Sequence, residues 1–143
     1  MKAQQHALRL GASGIVGKDQ PADVLFKAIE KVHAGEVWVD RVLMATILGA
    51  MSSTGERRTA DPEAAKIALL TARERQIIAV VGEGLKNKRI AERLRISEAT
   101  VRHHLTSIFD KLGVSGRLEL TVYAYQHGLS KLPPRFLDDT KVS

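Results

Sequence analysis

Between residues 70 and 128 helix starts and stops follow one another so closely that no helix there can run beyond about four turns, and this constrains the fold more than anything else in the chain. Thr71-Ala72-Arg73-Glu74 has the form of a capping box, with Thr71 as cap and Glu74 reaching back to its amide. Ile77, Ile78 and Val81 give the helix that follows an apolar side, and Gly82 and Gly84 end it. Asn87 is placed to cap a short helix, Lys88 to Leu94, that buries Ile90, Ala91 and Leu94. Arg95-Ile96 leaves room only for a tight connection, and Ser97 caps a longer helix. A last helix runs from about Arg117 to His127 and stops at Gly128.

The helix that begins at Ser97 carries Arg102-His103-His104 on its surface, which poses the functional question. At 100° per residue, Val101, Leu105, Ile108, Phe109 and Leu112 fall on one side and form the buried stripe. Ala99, Arg102, His103 and Thr106 lie opposite, in the N-terminal half, with His104 at the border near Thr100. Consecutive histidines on a helix point roughly 100° apart and cannot jointly hold one metal. Neither has an Asp or Glu next to it in sequence to orient it as a general base, so metal binding and catalysis are set aside and no cofactor is expected.

A short helix, a turn of about three residues and a longer helix with a polar N-terminal half make a helix-turn-helix, whose second helix enters the DNA major groove. Arg102 can donate two hydrogen bonds to guanine, while His103 and Thr106 can make shorter polar or methyl contacts. Charge agrees: residues 1–65 hold 8 basic and 8 acidic groups, so the net +6 resides entirely in residues 66–143.

The stretch LTARERQIIAVVGEGLKNKRIAERLRISEATVRHHLTSIFDKLGVSGRLELTVYA resembles the LuxR-type DNA-binding domain of NarL/FixJ response regulators. The motifs L-T-x-R-E, G-x-x-N-K-x-I-A-x-x-L, S-x-x-T-V-R-x-H and K-L-x-V-x-x-R carry the match over residues 70 to 128. The resemblance implies a mainly α fold, a four-helix bundle containing the helix-turn-helix. It implies base contacts from Arg102, His103 and Thr106, and sugar-phosphate contacts from Lys88, Thr100, His104 and Lys111. Position 103 is commonly aliphatic in this family, which leaves its base preference open. On the last helix, Leu118, Val122, Tyr125 and Leu129 form one stripe that can close the bundle. Leu120, Tyr123, Ala124 and His127 form the opposite stripe, which would be exposed in a monomer and suggests a partner helix. The resemblance implies a symmetric dimer on DNA.

Upstream, residues 2–10 look helical, Ser13–Gly17 reads as a very short strand, and Pro21 opens a helix with Val24, Leu25, Ala28, Ile29 and Val32 on one face. ASGIVGKD, residues 12–19, nearly matches a phosphate-binding loop. Asp19 stands where a magnesium-holding hydroxyl belongs and would repel phosphate, so nucleotide binding is rejected. ALRLGASGIVGKDQPADVLFKAIEKVHAGE instead resembles the last strand and helix of a receiver domain, with Lys18 at the family's phosphate-contacting lysine. The acidic cluster, the acceptor aspartate and the first four strands of such a domain would lie upstream of Met1. About 35 residues cannot bury a core of their own, so the expectation is a truncated response regulator. Residues 1–36 would be the receiver remnant, 37–65 a linker helix capped by Asp40 plus a flexible linker, 66–130 the DNA-binding domain and 131–143 a mobile tail.

No cysteine occurs, no apolar run approaches the roughly 20 residues of a membrane span, and no signal peptide is evident, so a cytoplasmic protein without membrane contact is expected. The expected function is sequence-specific transcription regulation, with double-stranded DNA as partner and a homodimer on paired half-sites. In a full-length form the partners would include a sensor histidine kinase and RNA polymerase. The chain is not expected to be an enzyme. The rival reading is a protein-interaction module using residues 117–128 and the receiver remnant, and retention on random duplex at low salt separates the two.

Overall fold

The computed structural model describes residues 2–54 and 62–131, and the expected tail falls almost wholly outside them. Among the described residues there are eight helices: α1 Lys2–Arg9, α2 Ala22–His33, α3 Arg41–Thr54, α4 Pro62–Ala68, α5 Ala72–Gly82, α6 Asn87–Leu94, α7 Glu98–Leu112 and α8 Arg117–Gln126.

Helices α5–α8 reproduce the expected mainly α bundle, and local chemistry sets their ends. The capping box is closed in both directions: the Glu74 amide donates to Thr71 Oγ1 at 3.0 Å and the Thr71 amide to Glu74 Oε1 at 2.9 Å. Ser97 accepts from the Thr100 amide at 3.0 Å. Between α6 and α7 the chain turns at Arg95, whose φ of 60° is left-handed. The core of this unit is Leu70, Ile77, Ile78, Val81, Ile90, Val101, Leu105, Ile108, Leu112, Leu120 and Ala124, with smaller neighbours around them. The α7 stripe is buried as expected, except that Phe109 is only half-buried.

Asn87 departs from its expected role. It is the first residue of α6 rather than its cap; Lys86 holds the cap position and makes no side-chain capping bond. The Asn87 side-chain oxygen instead accepts from Arg117 at 2.6 Å, and the same guanidinium donates to the Leu85 carbonyl. Arg117, at the start of α8, thereby fixes the turn that leads into the helix-turn-helix.

The expected linker is partly helical. Residues 55–61 lie outside the described residues, but α3 extends to Thr54 and Pro62 opens α4. Proline fits a first helical position, because its missing amide would have had no intrahelical partner. Helix α4 packs beside α7 and α8: Ile67 lies against the bundle core and Tyr123 donates to Glu63 Oε1 at 2.6 Å.

The N-terminal unit is held by little regular pairing. The strand expected at Ser13–Gly17 is a single parallel bridge, Gly14 to Trp38, with the Ile15 amide on the Trp38 carbonyl at 2.8 Å and the Trp38 amide on the Ser13 carbonyl at 3.0 Å. Among the described residues nothing pairs with its other edge, so the ladder cannot extend. Asp40 caps α3 as expected, accepting from the Leu43 amide at 2.7 Å. The α2 face departs from expectation: Ala28 is buried, Val24 and Val32 are half-buried, and Leu25 and Ile29 are exposed along with Phe26. A second core joins this unit to α8, with Leu8, Val37, Val39, Met44 and Ile47 closing over Leu118 and Val122.

Candidate nucleic-acid interface

Helix α7 turns Val101, Leu105 and Ile108 inward and carries Arg102, His103 and Thr106 outward, all three exposed. Glu98 Oε1 stands 3.9 Å from the Arg102 guanidinium one turn back, a distance that steadies the side chain without consuming its donors. Thr106 is exposed, and its hydroxyl back-bonds to the Arg102 carbonyl at 3.0 Å. The two histidine rings meet edge-on with centroids 6.2 Å apart, and His104 is half-buried at the border of the stripe. Among the described residues no group of three or more His, Cys, Asp or Glu is placed to hold a metal ion.

Lys88 is exposed on the first turn of α6, so the structure leaves it available to an anion. Thr100 is half-buried, and its hydroxyl pairs with Ser97 Oγ at 2.9 Å. Lys111, expected to meet a phosphate, donates in this structure to Glu74 Oε1 at 2.8 Å and to the Leu69 carbonyl at 3.2 Å, which holds α7 against α5.

The partner of Lys111 was not identified from the sequence as anything but a cap. Glu74 is buried, and its second oxygen accepts from Ser107 at 2.9 Å. Burial by itself would raise this carboxyl, but the hydrogen bonds from Lys111, the Thr71 amide and Ser107 outweigh it and hold the pKa at about 2. The capping-box motif was the visible signal; that the same carboxylate also receives Lys111 and Ser107, 37 and 33 residues on, was not legible locally.

The stripe expected to be exposed, and so to pair two domains, is a correction: it is covered within the chain. Leu120 and Ala124 are wholly buried, Tyr123 is nearly so, and His127 is half-buried against the Tyr123 ring at 4.3 Å between centroids. They point into the bundle, where α5 packs against α8 and Glu63 of α4 accepts from the Tyr123 hydroxyl. Leu118 and Val122, expected to close the bundle, face the other way and lie under the N-terminal unit. Lys18 is exposed in the loop before α2.

With a tight turn between α6 and α7 and an exposed polar face on the N-terminal half of the second, the geometry is that of a helix-turn-helix. Residues 68–124 match the family described as bacterial regulatory proteins, luxR family. This part of the chain belongs to the luxR family. The luxR-family domain so defined contains α5, α6, α7 and most of α8. Similarity also extends beyond it. The chain is 36% identical over 126 residues to the transcriptional regulatory protein LnrK of Bacillus subtilis, covering 87% of this chain and 57% of that protein. It is 37% identical over 127 residues to the oxygen regulatory protein NreC of Staphylococcus aureus, with the same coverage. This chain thus spans little more than half the length of either relative. The crystal structure of the response regulator ChrA of a heme-sensing two-component system is 33% identical, covering 83% of this chain and 53% of that one, with a TM-score of 0.40.

Proposed function

We propose that this chain is a DNA-binding transcriptional regulator of the response-regulator type, which reads double-stranded DNA with α7 in the major groove. The observation that carries the reading is the exposed row Arg102, His103 and Thr106 on the N-terminal half of α7, opposite the buried Val101, Leu105, Ile108 and Leu112. Arg102 donates to guanine O6 and N7, and His103 and Thr106 contact the neighbouring base edges. Lys88, Thr100 and His104 contact the sugar-phosphate backbone around them. The relatives' names as regulatory proteins support the same reading.

Two copies bind paired half-sites, with recognition helices roughly one DNA turn, about 34 Å, apart. Partners of a longer form are a sensor histidine kinase and RNA polymerase, with Lys18 in a receiver's phosphate-contacting position. Selection of bound sequences from a random DNA pool tests the proposal. A defined motif is expected, and retention with no enriched sequence would sink the base-reading roles.

A further inference from the structure

Among the described residues, left-handed backbone is carried by glycine at every position but one. Gly11, Gly35, Gly84, Gly113 and Gly128 hold positive φ, and so does Arg95, at φ 60° and ψ 46°. In that region the Cβ of an L residue crowds the following carbonyl, a strain that glycine escapes and asparagine tolerates. The turn itself is needed. The Arg95 and Ile96 amides both return to the Ala91 carbonyl, which closes α6 and releases the chain into α7. Nothing in that geometry calls for a long cationic side chain.

The fold offers the side chain no compensating contact. Arg95 is exposed, and among the described residues its guanidinium has neither an ion pair nor a hydrogen bond. Its neighbours differ. Arg93 reaches Glu83 at 2.9 Å, Arg89 stands 3.9 Å from Glu92, and Arg102 stands 3.9 Å from Glu98. Glu92 and Glu98, the acidic residues on either side of the turn in sequence, are thus each set beside another cation, and Arg95 faces solvent as an uncompensated positive charge.

The turn feeds the end of α7 that carries the outward polar row. Arg95 is two residues before the Ser97 cap, and Arg102 stands about 6 Å along the helix from Glu98 at 1.5 Å per residue. A major groove is about 12 Å wide and walled by phosphates, so a helix that reads bases with its first turns brings the preceding turn beside one wall. Arginine suits that wall: its planar fork pairs two N–H groups with phosphate oxygens, and it stays charged. An exposed residue held in a strained conformation that the fold does not reward is the pattern of a position kept for a ligand.

We propose that Arg95 is a phosphate-binding residue of the DNA interface, retained in a left-handed conformation against the preference of the backbone. The inference rests on the DNA reading above and adds a contact on the turn to those of Lys88, Thr100 and His104. Such a contact contributes affinity and register rather than base choice.

Two full-length variants test this. Arg95→Asn removes the charge and installs a residue that accepts the left-handed region, whereas Arg95→Lys keeps both the charge and the strain. The probes are a duplex carrying one half-site selected from a random pool and a duplex of random sequence, each titrated between about 50 and 200 mM salt. Arg95→Asn should weaken binding to both duplexes about three- to tenfold at the lower salt and flatten the salt slope by about one unit. Its urea-unfolding midpoint should equal or exceed that of the wild type. Arg95→Lys should keep the wild-type slope. An unchanged slope in Arg95→Asn, a slope lost equally in Arg95→Lys, or a loss confined to the selected duplex overturns the proposal. A lowered unfolding midpoint in Arg95→Asn does so too, because the arginine would then serve the fold. A wild type that binds neither duplex defeats the DNA reading and this inference with it, whereas a wild type that binds beside an Arg95→Asn of equal slope removes this contact alone.

Discussion

Arg102 and Glu74 are both charged and both in the N-terminal halves of their helices, yet they do opposite things. Arg102 keeps its donors in solvent, with Glu98 at 3.9 Å, so its truncation touches no packing. Arg102→Ala should weaken specific binding by about 1–3 kcal/mol and relax one base position while leaving the thermal midpoint unchanged. Titration against a set of single-base operator variants checks this; an equal loss on every sequence would make Arg102 a phosphate contact. Lys88→Ala should instead weaken all duplexes alike and lower the salt slope by roughly one unit, as read from affinities at several salt concentrations. Glu74 is buried and its pKa is lowered from 4.5 to about 2. Its folded value lies below its unfolded one, so the stability it adds is complete above pH 4.5. That stability declines as the pH falls from 4.5 towards 2. The shift corresponds to about 3 kcal/mol. Denaturant unfolding across pH 2–7 should show this acid limb in the wild type and lose it in Glu74→Gln.

Among the elements, α6 and α8 show how far local signals reach. Ser97 and Thr71 were readable as caps because capping is a bond between neighbours three residues apart. Asn87 had the same local signature but serves Arg117, 30 residues away, because the start of α8 is folded against the start of α6. Burial pushes the Arg117 guanidinium below its ordinary value, and Glu36 of the N-terminal unit opposes that shift. Arg117→Ala leaves the Leu85 carbonyl and the Asn87 side chain without their donor and should destabilise the fold by about 1–3 kcal/mol. Chemical denaturation measures it, and a change within about 0.5 kcal/mol, the ordinary range for a surface substitution, would show that Arg117 does not hold this turn. The two faces of α8 were recognised as apolar from the sequence but assigned in reverse. Hydrophobic periodicity marks a stripe as wanting cover; it does not say which neighbour supplies it. The residues that decide are on α5 and in the N-terminal unit, both of which lie far from α8 in the chain.

For the whole molecule, the sequence by itself determined what local chemistry controls: where α5, α7 and α8 start, which side of α7 is buried, and which residues of α7 face outward. It also put the net positive charge in residues 66–143, which supports the proposed reading of α7 as the surface that meets DNA. What only the tertiary structure decided involves residues brought together across long stretches of chain. Lys111 is drawn onto Glu74 because α7 packs against α5 at that point. The N-terminal segment, expected to lack a core of its own, finds one by packing Leu8, Val37, Val39, Met44 and Ile47 on α8. Leu8→Ala should therefore lower the stability of the intact chain by about 2–5 kcal/mol, as loss of a fully buried leucine does, though it lies outside the luxR-family domain. A change near zero in the unfolding midpoint would separate the two units. A pattern of apolar residues fixes that a surface will be buried, through a period that each helix carries in its own sequence. Which surface buries it depends on shape and close approach, as between Gly11 and Gly116, and those exist only once the chain has folded.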